Sequence, residues 1–311
     1  MQDTANRSIH SSKLLNKNSN STVTVVVCTR NRSAVLRSCL QAISHLNPAP
    51  DEVIVIDNTK GEKETESVAL EFSARYTTEP MPGLSRARNR GLTESNSEIV
   101  AYLDDDAVPD ERWLEFLLSP FGDPRVAVVT GETIVPESRA GVTSQEPTRF
   151  LSNENRQWFQ IAAYGGLGIG TNMALRKAAC TGWNVFDERL GRGAPLHGME
   201  EHHAFVRLLA LSYRAAYVPA AIVVHPHVRR SSIEQEVSRS IAYWLLLFFD
   251  FPEHRRELLG FLFRRLRHKP LTWKRNSSDL GPIITSGWRV RIKAVLAGTL
   301  LYIRARKSRD R

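Results

Sequence analysis

Apolar residues in the first third of the chain come as long runs, separated by polar loops and by stretches of helical spacing. Val23-Thr24-Val25-Val26-Val27 is the first run, and the loop Thr29-Arg30-Asn31-Arg32 follows it. Residues 33–46 then place Val35, Leu36, Leu40 and Ile43 at helical intervals. Glu52-Val53-Ile54-Val55-Ile56 is a second run, ending at Asp57-Asn58. A helical stretch over about 62–75, a loop around Pro80–Gly83 and a helix from about Ser85 to Ser95 lead to Ile99-Val100-Ala101-Tyr102-Leu103, which stops at Asp104. Runs without alternation suit strands buried on both faces. The order predicts an α/β protein whose sheet is mostly parallel, doubly wound and flanked by helices, with ligands beyond the C-terminal strand ends. All three runs deliver polar residues to that edge: Thr29 and Arg30, Asp57 and Asn58, and Asp104 to Asp106. Neither GxGxxG nor GxxxxGK[ST] follows the first run, which argues against a dinucleotide fold and a P-loop.

Further along, Pro109-Asp110-Glu111-Arg112-Trp113-Leu114 starts a helix and Val126–Thr130 a strand leading into Gly131. Residues 136–160 read as loop, and the glycine-dense Gly165–Asn172 as a turn opening a short helix over Met173–Ala178. Gly191, Gly193, Pro195 and Gly198 suggest a mobile loop over 187–198. A helix from about Glu200 to Leu211, the strand Ala216-Tyr217-Val218 and the segment Ile222–His225 follow. The expected division is a disordered polar leader (1–20), an α/β body (21–230) and a helical, basic C-terminal extension (231–311).

Composition locates the charge. The chain has 311 residues, 42% hydrophobic and 24% charged, and a formal charge of +9. Residues 252–311 hold 16 Lys/Arg against four Asp/Glu, so that segment carries +12 and the remaining chain −3. The aromatics of the C-terminal extension, among them Trp244, Phe248, Phe249, Phe261 and Phe263, lie beside or interleave with Arg255, Arg256, Arg264, Arg265 and Arg267. This pattern suits either helices lying on an anionic membrane surface or helices covering the core with solvated arginines. No nucleic-acid module accompanies the charge, so nucleic acid is not an expected partner. Three cysteines at no metal-ligand spacing suit a reducing compartment. No signal peptide and no run of spanning length is visible. The expected location is cytoplasmic, either free or peripheral on the inner face of the cytoplasmic membrane.

Asp104-Asp105-Asp106 is the chemical centre of this reading. Three carboxylates at the end of a buried strand repel one another and lose hydration. A hard divalent cation carrying a diphosphate relieves that repulsion. A solvated acidic loop with a helix N-cap at Asp106 or Asp110 is the competing reading.

These residues resemble the inverting family 2 glycosyltransferases of GT-A fold, in order and over most of residues 22–230. Val25-Val26-Val27-Cys28-Thr29-Arg30-Asn31-Arg32 is similar to the family's opening strand and nucleotide loop. Val53-Ile54-Val55-Ile56-Asp57-Asn58 resembles its second strand, whose terminal Asp contacts base or ribose. Gly83-Leu84-Ser85-Arg86-Ala87-Arg88-Asn89-Arg90-Gly91 matches a G-x-x-x-A-R-N-x-G segment. The Asp triplet resembles the D-x-D motif, and Gly170-Thr171-Asn172-Met173-Ala174-Leu175-Arg176 the segment under the donor sugar. The resemblance implies donor contacts from Thr29, Arg30, Asn31, Asp57, Arg86, Arg88, Asn89, Asp104, Asp105, Gly170 and Asn172. It implies Mn²⁺ or Mg²⁺ on Asp104 and Asp106, joined by a late histidine, His225. His227, Arg229 and Arg230 would continue the basic edge. For Arg88-Asn89 the competing role is tying neighbouring strand ends together; for His225 it is a hydrogen-bonded core histidine.

An acceptor-side base is required for inverting transfer. The family places Glu-Asp there, with an acid two residues later and an Arg on the same helix. Here Gly198-Met199-Glu200-Glu201-His202-His203-Ala204-Phe205-Val206-Arg207 has Glu201 for the Asp and His203 for the acid. Glu201 is read as the base, Glu200 as its structural partner, and at least one of the two histidines as a helix-surface residue. The expected reaction moves a sugar from a nucleoside-diphosphate donor, a UDP-sugar favoured, to a hydroxyl of a glycan or lipid-linked acceptor. A nucleotidyltransferase and a catalytically inactive membrane-associated scaffold are the alternatives.

Overall fold

The computed structural model describes residues 21–138, 146–226, 232–266 and 288–309. The predicted leader and His227, Arg229 and Arg230 lie outside the described residues. The strands are β1 (Val23–Thr29), β2 (Glu52–Asp57), β3 (Arg75–Thr78), β4 (Ile99–Asp104), β5 (Val108–Pro109), β6 (Val126–Ile134), β7 (Arg149–Leu151), β8 (Asn172–Arg176) and β9 (Arg214–Val224). They form one sheet in the order β3-β2-β1-β4-β8-β6-β9-β5, with β7 also on β9. The half from β3 to β4 is parallel, as the sequence predicts. Beyond it, β8 runs antiparallel to both β4 and β6, while β6 and β9 are parallel.

β1 is the central strand of the parallel half, and alternate side chains feed two cores. Val25 and Val27 point into one, with Leu36 and Leu40 of α1 (Ser33–Ile43), Val68 of α2 (Lys63–Glu71) and Trp113 and Leu114 of α4 (Trp113–Leu118). Val26 points into the other, with Ala87 of α3 (Leu84–Glu94), Phe159 of α5 (Trp158–Ala163) and Phe205 of α6 (Glu200–Ala210). Such a strand has no solvent face, which explains its run of β-branched residues.

Four local expectations are corrected. Met173–Ala178, read as a short helix, opens as β8, because the slot between β4 and β6 buries both faces and Met173, Ala174 and Leu175 fill it at 0% exposure. The helix read over 62–75 stops at Glu71. The chain turns through Ser73 at a positive φ of 56° and enters β3, where Arg75 is held by Glu52 and Glu94. The loop read over 136–160 contains β7 and the start of α5. The strand at 216–218 and the segment at 222–224 fuse into β9, whose pairing with β6 shifts register at Gly131/Glu132.

The C-terminal helices do not stand apart from the body. Ser232 caps α7 (Ile233–Asp250) through a reciprocal capping box with Gln235. Ala242, Tyr243, Leu246 and Leu247 of α7 enter the core that contains Val26. After α8 (Arg255–Leu266), α9 (Trp288–Arg309) returns along α7, with Tyr302 stacked on Phe249 at 5.4 Å. Among the described residues no helix is long and apolar enough to cross a membrane.

Candidate active site

Sheet register brings the polar strand ends together. Thr29 lies opposite Asp57 across β1–β2, and Cys28 opposite Asp104 across β1–β4. Beyond this edge lies a cavity of about 190 Å³, whose walls include Thr29, Arg30, Arg32, Asn58, Asp104 and Arg192.

The three aspartates have different surroundings. Asp105 is 4% exposed and accepts hydrogen bonds from Thr29 Oγ1 and Arg32 Nη1, both at 2.7 Å. Burial pushes its carboxyl up to about 6, against the pull of Thr29 and Arg32. Asp106 accepts from Arg32 Nη2 at 2.7 Å. Burial works against its ionisation, yet His225 and Arg32 hold it well below the usual carboxylate range. Asp104 accepts from Arg88 Nη2 at 3.2 Å. Asp105 thus anchors the loop, while Asp104 and Asp106 face His225.

That last group fits a divalent cation. His225 Nε2 lies 2.9 Å from Asp106 Oδ1 and 3.7 Å from Asp104 Oδ2. Asp106 Oδ1 and His225 Nε2 are buried, and among the described residues neither completes a hydrogen bond despite their contact distance. One donor atom from each of the three residues falls within 4.8 Å of the others. Two carboxylates and an imidazole converging on one point, with Asp106 Oδ1 and His225 Nε2 left without a hydrogen bond, are the donor set of a small divalent ion. Burial lowers the pKa of His225, but the two aspartates outweigh it and the net direction is up.

Arg88 links this group to α6. Its guanidinium, 3% exposed, donates to Asp104 and, at 2.7 Å, to Glu200 Oε1. Gly170 makes room for it: a Cβ there would sit 2.7 Å from Arg88 Nη1. Burial and the adjacent Glu201 charge push the Glu200 carboxyl up, with Arg88 opposing. Glu201, at 13% side-chain exposure, accepts from the Gly170 N–H at 3.3 Å. α6 starts from Met199 at a positive φ of 68°, which turns both glutamates toward the Arg88 and Gly170 side of the sheet edge.

Several residues expected at the donor serve the scaffold. Asp57 is fully buried, its oxygens taken by Thr59, Tyr76 and the Glu62 N–H, so it closes the loop after β2. Asn89 brackets the Phe186 backbone, donating to its carbonyl at 2.8 Å and accepting from its N–H at 3.0 Å. Asn172, at 0% exposure, accepts from Trp113 Nε1 and donates to the Glu132 and Ala221 carbonyls, tying three strands and α4. Arg86 ion-pairs Glu188 at 2.6 Å. Asn31 is exposed at a positive φ of 54° and does not line the cavity. Thr29, Arg30, Arg88, Asp104, Asp105, Asp106, Gly170, Glu200, Glu201 and His225 are brought to the edge or its supports.

Three contributors have no role assigned from the sequence, although Arg32 and Asn58 stand in its edge loops. Arg32 neutralises Asp105 and Asp106, Asn58 fixes the loop at 79–83 through Glu79, Met81 and Gly83, and Arg192 forms the far wall. The glycine-rich stretch 187–198 is tied by Ser85 Oγ donating to Leu190 O at 2.7 Å and Leu84 N–H to Arg192 O at 2.9 Å. Neither histidine of α6 is on the surface: His202 and His203 are 6% and 2% exposed. His203 Nε2 instead lies 3.6 Å from Asp250 at the end of α7, beside the Asp187–Arg189 pair. Burial pushes the His202 imidazole down to about 4 and keeps it neutral.

The sequence model described as glycosyl transferase family 2 matches residues 24–181. The chain is 27% identical over 227 residues to a pre-mycofactocin glycosyltransferase of Mycobacterium tuberculosis, covering 71% of this chain and 46% of that protein. It is 29% identical over 199 residues to a glucosyl-dolichyl phosphate glucuronosyltransferase of Haloferax volcanii, covering 58% and 61% respectively. The chain therefore spans about half the length of the mycobacterial relative. Its fold superposes at a TM-score of 0.59 on a mannosyltransferase from Pyrobaculum calidifontis in complex with GDP-Man and Mn²⁺, 16% identical, covering 93% of this chain and 79% of the other. It superposes at 0.51 on glucosyl-3-phosphoglycerate synthase from Mycobacterium tuberculosis in complex with Mn²⁺, UDP and phosphoglyceric acid, 20% identical, covering 76% and 81%.

Proposed function

This chain belongs to glycosyl transferase family 2 and has the GT-A fold, and we propose that it transfers a sugar, with inversion, from a nucleoside-diphosphate donor to an acceptor hydroxyl. The observation that carries the reading is the Arg88 bridge, which holds the Asp104–Asp106–His225 group and the Glu200–Glu201 end of α6 on one sheet edge.

Asp104, Asp106 and His225 would hold a divalent cation, which when bound neutralises negative charge on the departing diphosphate. The imidazole suits Mn²⁺ better than Mg²⁺. Thr29, Arg30 and Arg192 border the cavity that takes the nucleotide, and a UDP-sugar is the favoured donor. Asp105 and Arg32 keep the acidic loop in place. Arg88 fixes Asp104 relative to Glu200 and balances their charge.

Glu201 takes the role of base. Glu200 is committed to Arg88, whereas among the described residues Glu201 is held by a single backbone N–H and keeps an oxygen for the acceptor. The acceptor oxygen bonds to the anomeric carbon, the carbon–oxygen bond to the diphosphate breaks with its electron pair leaving on the phosphate, and the hydroxyl proton passes to Glu201. The acceptor is a glycan or a lipid-linked glycan. We assign residues 21–230 to this transferase body and 231–311 to an extension whose first helix completes its core.

A thermal-shift panel of UDP, GDP and their sugars with and without Mn²⁺ tests the reading, because ligands that bind only the folded state raise the melting temperature. A nucleotide shift that requires Mn²⁺ is expected. No nucleotide stabilising the chain under any metal condition would overturn the proposal.

A further inference from the structure

α9 carries two apolar stripes where packing accounts for one. Gly298, Tyr302 and Ala305 are buried against α7, and a Cβ on Gly298 would meet the Ser238 carbonyl at 2.6 Å. Leu296, Leu300 and Ile303 repeat the same spacing two residues out of step. At about 100° per residue that offset turns them to the opposite side of the helix. They are 62%, 56% and 44% exposed. Scattered surface leucines need no explanation, but a continuous helical stripe is a face.

The charge around this face says what covers it. Trp288–Arg309 contains seven Lys/Arg and no acidic residue. Lys293, Arg304 and Lys307 are exposed and fall along the stripe by helical position. A second copy would bring the same positive charge against itself. An anionic bilayer offers hydrocarbon to the stripe and phosphates to its border. The length and polarity of α9 fit lying in the interface rather than crossing it.

We propose that the Leu296–Leu300–Ile303 face of α9 docks the protein on an anionic lipid bilayer, with Lys293, Arg304 and Lys307 meeting lipid phosphates. The docking goes beyond sugar transfer and does not depend on it, since it involves neither donor nor acceptor.

Co-sedimentation of the full chain with vesicles of phosphatidylcholine, alone or mixed with phosphatidylglycerol, tests it without nucleotide or metal. Wild type should pellet with the mixed vesicles, weakly with the neutral ones, and less as salt rises. Leu296→Glu/Leu300→Glu should lower the partition by about tenfold or more at an unchanged melting temperature. Lys293→Ser/Arg304→Ser/Lys307→Ser, which leaves the apolar stripe intact, should lose preference for anionic vesicles. Equal pelleting of wild type and both variants, equal pelleting with both vesicle types, or no pelleting would overturn the proposal. A wild-type dimer in light scattering that Leu296→Glu/Leu300→Glu splits, without vesicle binding, would assign the face to a second copy.

Discussion

Arg88 and Glu200 form an ion pair closed off from water, joined at 2.7 Å with side chains 4% and 5% exposed. Removing one partner strands the other charge in the interior. Arg88→Met is expected to cost about 3–5 kcal/mol of stability, measured by urea unfolding. The double variant Arg88→Met/Glu200→Met should recover part of that loss, because the carboxylate that Arg88 paired on α6 is no longer left buried without it. Equal stabilities of wild type and Arg88→Met would mean that the pair does not hold the strand end to the helix.

Asp106→Asn keeps the side-chain volume and removes one candidate ligand. It should weaken Mn²⁺-dependent UDP binding by at least about tenfold in calorimetric titration. The unfolding midpoint should change little in comparison, because Arg32 retains its contact with Asp105. Mn²⁺-dependent affinity equal to wild type would remove Asp106 from the cation site.

The two glutamates should separate by assay. Glu201→Gln is expected to lower turnover by roughly 10²-fold or more while donor affinity survives. Glu200→Gln should instead lower stability, since it breaks the pair with Arg88. A larger turnover loss in Glu200→Gln at intact stability would reverse the assignment of the base.

Asp187 supplies a pH dependence away from the cation site. Burial opposes its ionisation, but hydrogen bonds from Arg189 and the charge of the nearby His203 lower it from 3.8 to about 2. Between those values the unfolded chain binds more protons than the folded one, so stability rises with pH across that window. The group's contribution, about 2 kcal/mol, is complete above the unfolded value and lost as pH falls through the folded one. In urea melts at neutral pH and near pH 3, Asp187→Asn should show a shallower acid loss than wild type. Parallel pH profiles would rule the pair out as an acid-sensitive support.

The parallel half of the sheet was legible because buried central strands leave long apolar runs, and Asp104–Asp106 because charge rarely follows such a run without a partner. His225 could be found by its place after an apolar segment. The lateral order could not: nothing in Asn172–Arg176 tells an antiparallel strand between β4 and β6 from a short helix of the same apolarity. Side-chain direction was hidden as well. Asp57, Asn89 and Asn172 occupy motif positions suited to ligand contact, yet Asn89 and Asn172 satisfy backbone groups of distant segments and Asp57 is taken by Tyr76 and by its own loop, partners that arise only when the chain is folded. Arg32 escaped notice for the same reason, since its two aspartates are 73 and 74 residues away.

The double pairing of β1 has a consequence for amide exchange. A slip of one residue against β2 or β4 would carry Val26 into the opposite core and expose the valines on either side of it to mismatched packing. No partial opening of this strand keeps either core intact. Amide protons of Val25 to Cys28 should therefore exchange with deuterium only when the whole chain unfolds, at the rate set by global stability. The platform beneath Asp104 is then as rigid as the protein itself, and adjustment to different ligands is left to the loops beyond the strand ends.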